Sequence, residues 1–395
     1  MLLLRRMQER LVTRNFVLLV VAHFLQALGY ASMLLLPLYL QHLGASRTEI
    51  GAIMATAAIS GLLTRPLVAW GLDTLGRKPT LVAGTLTLVV GMLMIASVDR
   101  IGPMIYLARM VIGAGVGVLF AAYFTYAADL VPISRRTEGL ALFGISGLLP
   151  LLINPFADRL GVAAPDLRWF LPAVGGVISL SLGALALLPE PQRVAVEGQR
   201  MRDAIVALRK RPLWPVWFAT VMFSALVSVF GTFATVAAER RGVTEAPSMW
   251  LSYALGAVGV RLFGSRVPDR IGPSNLVAPA LGSYVIALLI AAGADSFGDF
   301  LLAALAAGIG HGYCFPVLAG QVVSRSPESF RGSALALFTG LWIAAELLGS
   351  PAFGAVADRL GDGAMFIAAA ASGIVSLAFW SLLEHRHGVA RSPAQ

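Results

Sequence analysis

Apolar runs long enough to cross a bilayer recur twelve times along this chain, and the connections between them are too short to fold into independent domains. A membrane-spanning helix needs about 20 mostly apolar residues. Such runs fall at Asn15–Leu40, Thr48–Trp70, Thr80–Val98, Met104–Ala128, Glu138–Ala157, Trp169–Leu188, Leu213–Ala237, Trp250–Ser265, Ser274–Ala294, Phe300–Val323, Ser333–Val356 and Ala364–Leu383. Hydrophobic residues make up 57% of the 395, charged residues 13%, and the mean hydropathy is +0.79. A soluble domain does not have that balance, so the chain reads as an all-α polytopic membrane protein whose surface partner is the lipid bilayer. The basic segment Met1 to Arg14 before the first run resembles the start of a signal peptide, but that run is too long, which predicts an uncleaved first helix.

Between the second and third runs, Asp73-Thr74-Leu75-Gly76-Arg77-Lys78-Pro79 forms a charged turn. Gly76 is suited to the left-handed conformation that ends a helix, and Pro79 to the first turn of the next. The turn has an echo: Arg261, Asp269 and Gly272 answer Arg65, Asp73 and Gly76 at one constant offset, with Arg270 beside Asp269. At an offset one residue smaller, Gly308-Ile309-Gly310-His311-Gly312 answers Gly113-Ala114-Gly115-Val116-Gly117, and Ala336-Leu337-Phe338 answers Ala141-Leu142-Phe143. The chain is an internal duplication. The expected organisation is a six-helix bundle over 1–188, a linker over 189–212 and a second six-helix bundle over 213–395.

These turns resemble the signature that the major facilitator superfamily of transporters carries between its second and third helices, Gly-x-Leu-x-Asp-Arg-x-Gly-Arg-Arg. Asp73, Gly76, Arg77 and Lys78 match it; Ala69 and Thr74 stand where the family usually has glycine and arginine, while the second copy keeps Asp269-Arg270. The resemblance implies the twelve-helix fold and a gating role for this loop, with Asp73 latching onto the start of the eleventh helix near Gly332 and Ser333. Arg109 followed by Gly113 and Gly115 further resembles the fourth-helix motif of the proton-coupled drug and small-molecule exporters of this superfamily. The Gly-Pro spacing usual in their fifth helix is absent from Phe143-Gly144-Ile145-Ser146-Gly147-Leu148-Leu149-Pro150.

Of the 30 basic residues, 20 fall on one side of the spans if the N-terminus is cytoplasmic, among them Arg77, Lys78, Arg135 and Arg136; only Arg47, Arg100, Arg159, Arg168, Arg240, Arg241 and Arg359 fall on the other. The positive-inside rule therefore places both termini in the cytoplasm. It also accounts for the +9 net charge as topology, not as a nucleic-acid surface. The strong preference for Arg over Lys points to a GC-rich bacterium and hence to its inner membrane. Within the linker, Met201, Ile205 and Leu208 share a helical face ringed by Arg202, Arg209, Lys210 and Arg211, which predicts a helix lying on the anionic leaflet. Asp158-Arg159-Leu160-Gly161 and Asp358-Arg359-Leu360-Gly361 repeat the turn pattern at the opposite face, as inverted three-helix repeats would place it.

Ionisable groups inside the spans are few, and each costs about 3 kcal/mol or more at the bilayer centre unless paired or facing water. They are the functional candidates. Glu346 is the one carboxylate deep within a run and suits a proton carrier; the other reading is a partner for an arginine or a cationic substrate. Arg109 is assigned a coupling or substrate role, against that of a buried arginine bonded to carbonyls. Gln26 and His23 in the first run and His311 in the tenth belong, by resemblance, to cavity-lining helices; lone intramembrane histidines also serve as hydrogen-bonded packing. Tyr30, Tyr126 and Trp342 are candidates for an aromatic cavity wall, with Tyr123, Phe230 and Tyr313 as further aromatic residues. The glycine run near Arg109 lacks both the preceding strand and the GxGxxG spacing of a dinucleotide loop, and reads as close helix packing.

One cysteine, Cys314, excludes a disulfide or zinc framework, and no cofactor is expected. No Ser/His/Asp set or paired carboxylates occur at usable spacing, so an enzyme is not expected. The expectation is a monomeric secondary transporter moving a small organic solute by alternating access, coupled to protons in the export direction. Import of an anionic metabolite with Arg109 as its ligand, and a membrane sensor or scaffold that transports nothing, stay open at this level.

Overall fold

The computed structural model describes residues 11–132, 135–191, 208–264, 267–326 and 331–387. Among the described residues there is helix and no strand, as a chain in lipid requires when every backbone group must find its partner nearby. The helices fall where the apolar runs place them. They are α1 (Arg14–His42), α2 (Arg47–Leu63 continued by Arg65–Thr74), α3 (Arg77–Ser97), α4 (Pro103–Leu130), α5 (Arg136–Ile145, Leu149–Leu152 and Ile153–Arg159) and α6 (Ala164–Ala186). After the connection come α7 (Arg211–Arg240), α8 (Met249–Phe263), α9 (Pro273–Gly293), α10 (Phe297–Arg325), α11 (Arg331–Leu360) and α12 (Asp362–His387). Nine pass a length-and-hydropathy test for a span, and α2 makes ten when its two segments, bent by 42°, are taken together. The 15-residue α8 and the interrupted α5 complete the twelve. The interfacial helix expected in the linker falls mostly on 192–207, outside the described residues.

Three of the helix breaks carry a proline. Pro37 follows the turn after Ser32 in α1, Pro66 the bend at Thr64 in α2, and Pro150 the open turn after Ile145 in α5. Proline has no N–H to give and its ring crowds the carbonyl four residues back. In α5 the consequence is chemical: the Gly147 carbonyl, freed from the helix, accepts the Tyr30 hydroxyl of α1.

Contacts divide the chain into two compact units, residues 1–45 with 56–195 and residues 46–55 with 196–395. The duplication is visible in the backbone of each. Six glycines have positive φ, Gly44 (86°), Gly76 (109°) and Gly161 (70°) in the first half and Gly242 (81°), Gly272 (85°) and Gly361 (89°) in the second. Each trio follows the first, second and fifth helix of its half. Four of the six close an Asp-x-x-Gly turn, so the pattern seen on both faces of the sequence is one left-handed helix stop used four times.

The paired glycine runs pack alike in the two units. A Cβ on Gly113 would lie 2.2 Å from the Ala57 carbonyl oxygen of α2, and one on Gly115 2.6 Å from the Leu88 nitrogen of α3. In the second unit a Cβ on Gly308 would lie 2.1 Å from the Tyr253 carbonyl oxygen of α8, and one on Gly310 2.7 Å from that of Ala280 in α9. Alternate glycines thus seat α4 and α10 against two neighbours each, backbone to backbone, as small residues do in membranes.

Candidate functional site

In the second unit, α7, α8, α10 and α11 bring an aromatic group together around two of the sequence candidates, His311 and Trp342. The Tyr253 hydroxyl is hydrogen-bonded to Nδ1 of His311. Phe223 meets His311 edge-on with ring centres 5.9 Å apart and Trp342 with centres 5.4 Å apart; Phe315 meets Trp342 at 5.3 Å. These edge-to-face contacts are the preferred geometry of aromatic quadrupoles. Phe223 is fully buried, while His311, Phe315 and Trp342 keep part of their surface free. Phe230 backs the group from inside, stacked on Tyr253 and edge-on to Trp250. Tyr313 reaches away to the Gly264 carbonyl.

Glu346 stands at the middle of the 30-residue α11, half-buried, one turn beyond Trp342 and one turn before Ser350. On either side of it α7 contributes a row of hydroxyls four residues apart. Ser224 donates to the Trp342 carbonyl at 2.7 Å, and Ser228 shares a hydrogen bond of 2.6 Å with Ser350, which Thr232 approaches to 3.4 Å. Helical spacing puts all these groups on facing sides of two helices, so Glu346 stands in register with the hydroxyl row of α7.

In the first unit, His23 of α1 enters the break in α5. The Ser146 hydroxyl donates its single hydrogen to the Phe143 carbonyl at 2.5 Å, and therefore accepts at 2.7 Å from Nδ1–H of His23. The imidazole stacks on Phe143, ring centres 4.5 Å apart, and leans on Tyr123 at 5.0 Å. Its contacts fit the packing role better than a solvated site. Gln26, one turn on from His23, and Arg109 on α4 are both buried in this unit, 3% and 5% exposed. Tyr30 is more than a third exposed with its hydroxyl tied to Gly147.

Tyr126 lies apart from these groups. Its ring is fully buried near the end of α4, and its hydroxyl donates to the Pro189 carbonyl, close to the charged turn. That turn is a built ionic cluster. Arg77, which the sequence places at a membrane face, is 6% exposed: Nε meets Asp129 at 2.9 Å and Nη1 the Leu72 carbonyl at 2.9 Å. Glu190 accepts the amides of Arg77 at 2.6 Å and Lys78 at 2.9 Å, closing the start of α3, while Lys78 Nζ caps the Ala186 and Leu188 carbonyls at the end of α6. Asp73 stands outside the cluster, exposed.

The second copy keeps the plan and changes the wiring. Pro273 occupies the place of Arg77, so the start of α9 has no amide to offer there. Glu384, which answers Glu190 at the end of α12, instead takes the guanidinium of Arg325, and Arg325 also bonds Ser274 at 3.0 Å, the Pro212 carbonyl at 3.0 Å and Gln321. Gly272 makes the left-handed stop and Arg270 is exposed; the Asp269 side chain lies outside the described residues. Sequence reasoning missed Tyr253, Phe223 and Ser146. None has a like residue in the other copy, and only their three-dimensional neighbours mark them.

Twelve helices in two duplicated units, with a few polar groups held inside the spans, define the class: a polytopic membrane transporter of the two-bundle kind. The sequence profile of the Major Facilitator Superfamily matches residues 18–342 and 251–395, and the chain belongs to that superfamily. It is 26% identical over 375 residues to an uncharacterized MFS-type transporter of Salmonella typhimurium, covering 90% of this chain and 92% of the relative. Its fold superimposes on a mutant of the nucleoside transporter NupG with a TM-score of 0.80 at 13% identity, over 94% of this chain and 100% of the other. It also superimposes on a POT family transporter in complex with 5-aminolevulinic acid, with a TM-score of 0.78 at 13% identity, over 94% and 96%.

Proposed function

We propose that this transporter exports a small organic solute across a bacterial inner membrane in exchange for protons, with Glu346 carrying the proton. The observation that carries the reading is the place of Glu346, at the middle of a spanning helix between the aromatic group of Trp342 and His311 and the hydroxyl row of α7. A carboxylate at that depth in a span is costly to keep charged unless it is paired or faces water, so it suits alternate binding and release of a proton. The export direction draws on the motif of Arg109, Gly113 and Gly115, which the drug-exporter branch shares. Both termini are cytoplasmic in this reading, the protein acts as a monomer, and Asp73 with the Arg77 turn works as a gate.

The test is transport into inverted membrane vesicles of labelled organic cations, acids and sugars, with and without an imposed pH gradient. An acid interior drives accumulation of cargo in the wild type, and Glu346→Gln abolishes the dependence on the gradient while leaving exchange of cargo down its own gradient. Accumulation that is equally gradient-driven in Glu346→Gln overturns the assignment.

Burial of Arg109 in the first unit favours a second reading, proton-coupled import of an anionic metabolite with Arg109 as its ligand. Organic acids moving in the inward direction, and only with Arg109 intact, would establish that reading in place of export.

A further inference from the structure

We infer that Asp358 is a positioning residue of the transport cycle: its carboxylate holds the first turn of α2 against α11, and releasing that turn is a step of the cycle. The inference rests on the chain being a transporter, and on neither proton coupling nor direction.

The first amides of any helix lack partners within it. In α2 they are divided between two caps. Ser46 and Glu49 form a local box, Glu49 N to Ser46 Oγ at 3.2 Å and Ser46 N to Glu49 Oε2 at 2.9 Å. That leaves the amides of Arg47 and Thr48, and Asp358 takes both from the far end of the sequence: Arg47 N to Oδ1 at 2.8 Å, Thr48 N to Oδ2 at 2.8 Å, and Thr48 Oγ1 to Oδ2 at 2.6 Å. The Arg47 side chain adds a bond from Nε to Asp362 at 3.2 Å.

Beneath the cap the two helices meet through glycine. A Cβ on Gly51 would lie 2.4 Å from the Ser350 carbonyl oxygen, and one on Gly354 would lie 2.4 Å from that of Arg47. Ile50 and Ile53 are fully buried. Residues 46–55 are accordingly part of the second unit, whereas α2 from residue 56 onward is part of the first. A single unbroken helix, as far as Leu63, therefore begins in one unit and continues in the other.

The tie is built to open. Asp358 is solvent-exposed, so its carboxylate exchanges amide for water at little cost. The ion pair of Arg77 with Asp129, with side chains 7% and 22% exposed, lacks that exposure. Asp358 also begins one of the four Asp-x-x-Gly turns, so the left-handed stop at Gly361 fixes where its carboxylate stands at the end of α11.

The test places a reporter under the cap. Ile50→Cys is made in the full-length protein, whose only other cysteine, Cys314, is fully buried, and maleimide labelling is timed in lipid vesicles. In that background Asp358→Asn speeds labelling on the order of tenfold, because the amide keeps one acceptor oxygen where the two carboxylate oxygens take three donors, so part of the cap is lost and the rest becomes neutral. Asp358→Glu restores most of the protection, and Arg359→Gln, a change to the exposed neighbour, has no effect. With a transported cargo, Asp358→Asn alters the maximal rate and leaves the cargo's dissociation constant within about twofold. Unchanged labelling in Asp358→Asn overturns the inference, as does faster labelling with an unchanged maximal rate, or with Cys314 labelling rising in step. Labelling requires no cargo and no gradient, so failure of the export reading would leave this result standing.

Discussion

Glu384 holds the Arg325 guanidinium with both carboxylate oxygens, Nη2 to Oε1 at 2.7 Å and Nη1 to Oε2 at 2.9 Å. The Arg325 side chain is 4% exposed and that of Glu384 22%. Through this pair the ends of α10 and α12 and the starts of α7 and α9 share one anchor.

Removing the carboxylate charge leaves the arginine buried without its counter-ion. Loss of one partner of a buried pair costs about 3–5 kcal/mol, and the partial exposure of Glu384 lowers that, so Glu384→Gln is expected to cost about 2 kcal/mol. Glu190→Gln, which weakens a helix cap without orphaning an arginine, costs about 1 kcal/mol. Denaturation in mixed detergent micelles measures both, and the order of the two is the critical outcome.

The glycine runs give a paired prediction. Gly113→Ala and Gly308→Ala both drive a methyl group into a neighbouring backbone carbonyl that no side-chain rotation can move. Each is expected to destabilise its unit by about 1–3 kcal/mol. Gly320→Ala, where a Cβ meets nothing within 4 Å, leaves stability unchanged or slightly raised. Thermal retention of the monodisperse peak in detergent separates the three.

Tyr253→Phe deletes the hydroxyl that bonds His311 and leaves the imidazole Nδ1 without its partner. A loss of about 1–2 kcal/mol is expected, read by the same micelle denaturation. His311→Phe in the Tyr253→Phe background recovers part of it, because two apolar rings leave no polar group unpaired.

Trp342 presents part of its ring beside Phe315 and His311. For a cargo carrying an aromatic ring, Trp342→Ala is expected to raise the half-saturating concentration by about 3- to 10-fold, and Trp342→Phe by far less, in line with the worth of one aromatic contact. Transport kinetics over a range of cargo concentrations test it. Equal behaviour of the two variants would remove Trp342 from the cargo's path.

The twelve helices could be read directly from the apolar runs because the demand made by lipid is local: each span must satisfy its own backbone within about 20 residues. The left-handed stops at Gly76, Gly161, Gly272 and Gly361 were readable for a similar reason, since a helix that ends in a tight turn needs a residue without a Cβ at that position. Arg109 and Glu346 stood out because ionisable groups in lipid are rare.

What each aspartate of those turns binds was not written in the turn. Asp73 and Asp358 begin the same pattern, yet Asp73 is exposed and Asp358 caps a helix more than 300 positions away in the chain. Glu190 caps amides after the first copy's last helix while Glu384 clamps Arg325 in the second, where Pro273 offers no amide and Arg325 supplies a guanidinium. Tyr126 and Trp342 are both aromatic residues within spans, but one ends on the Pro189 carbonyl and the other in the ring cluster of Phe223 and His311. The sequence alone determined where the chain crosses the membrane and that its two halves share a plan, because both follow from short-range rules repeated along it. Only the tertiary structure decided which polar groups meet, because a hydrogen bond or ring contact depends on distances of a few ångströms between helices that are far apart in the chain.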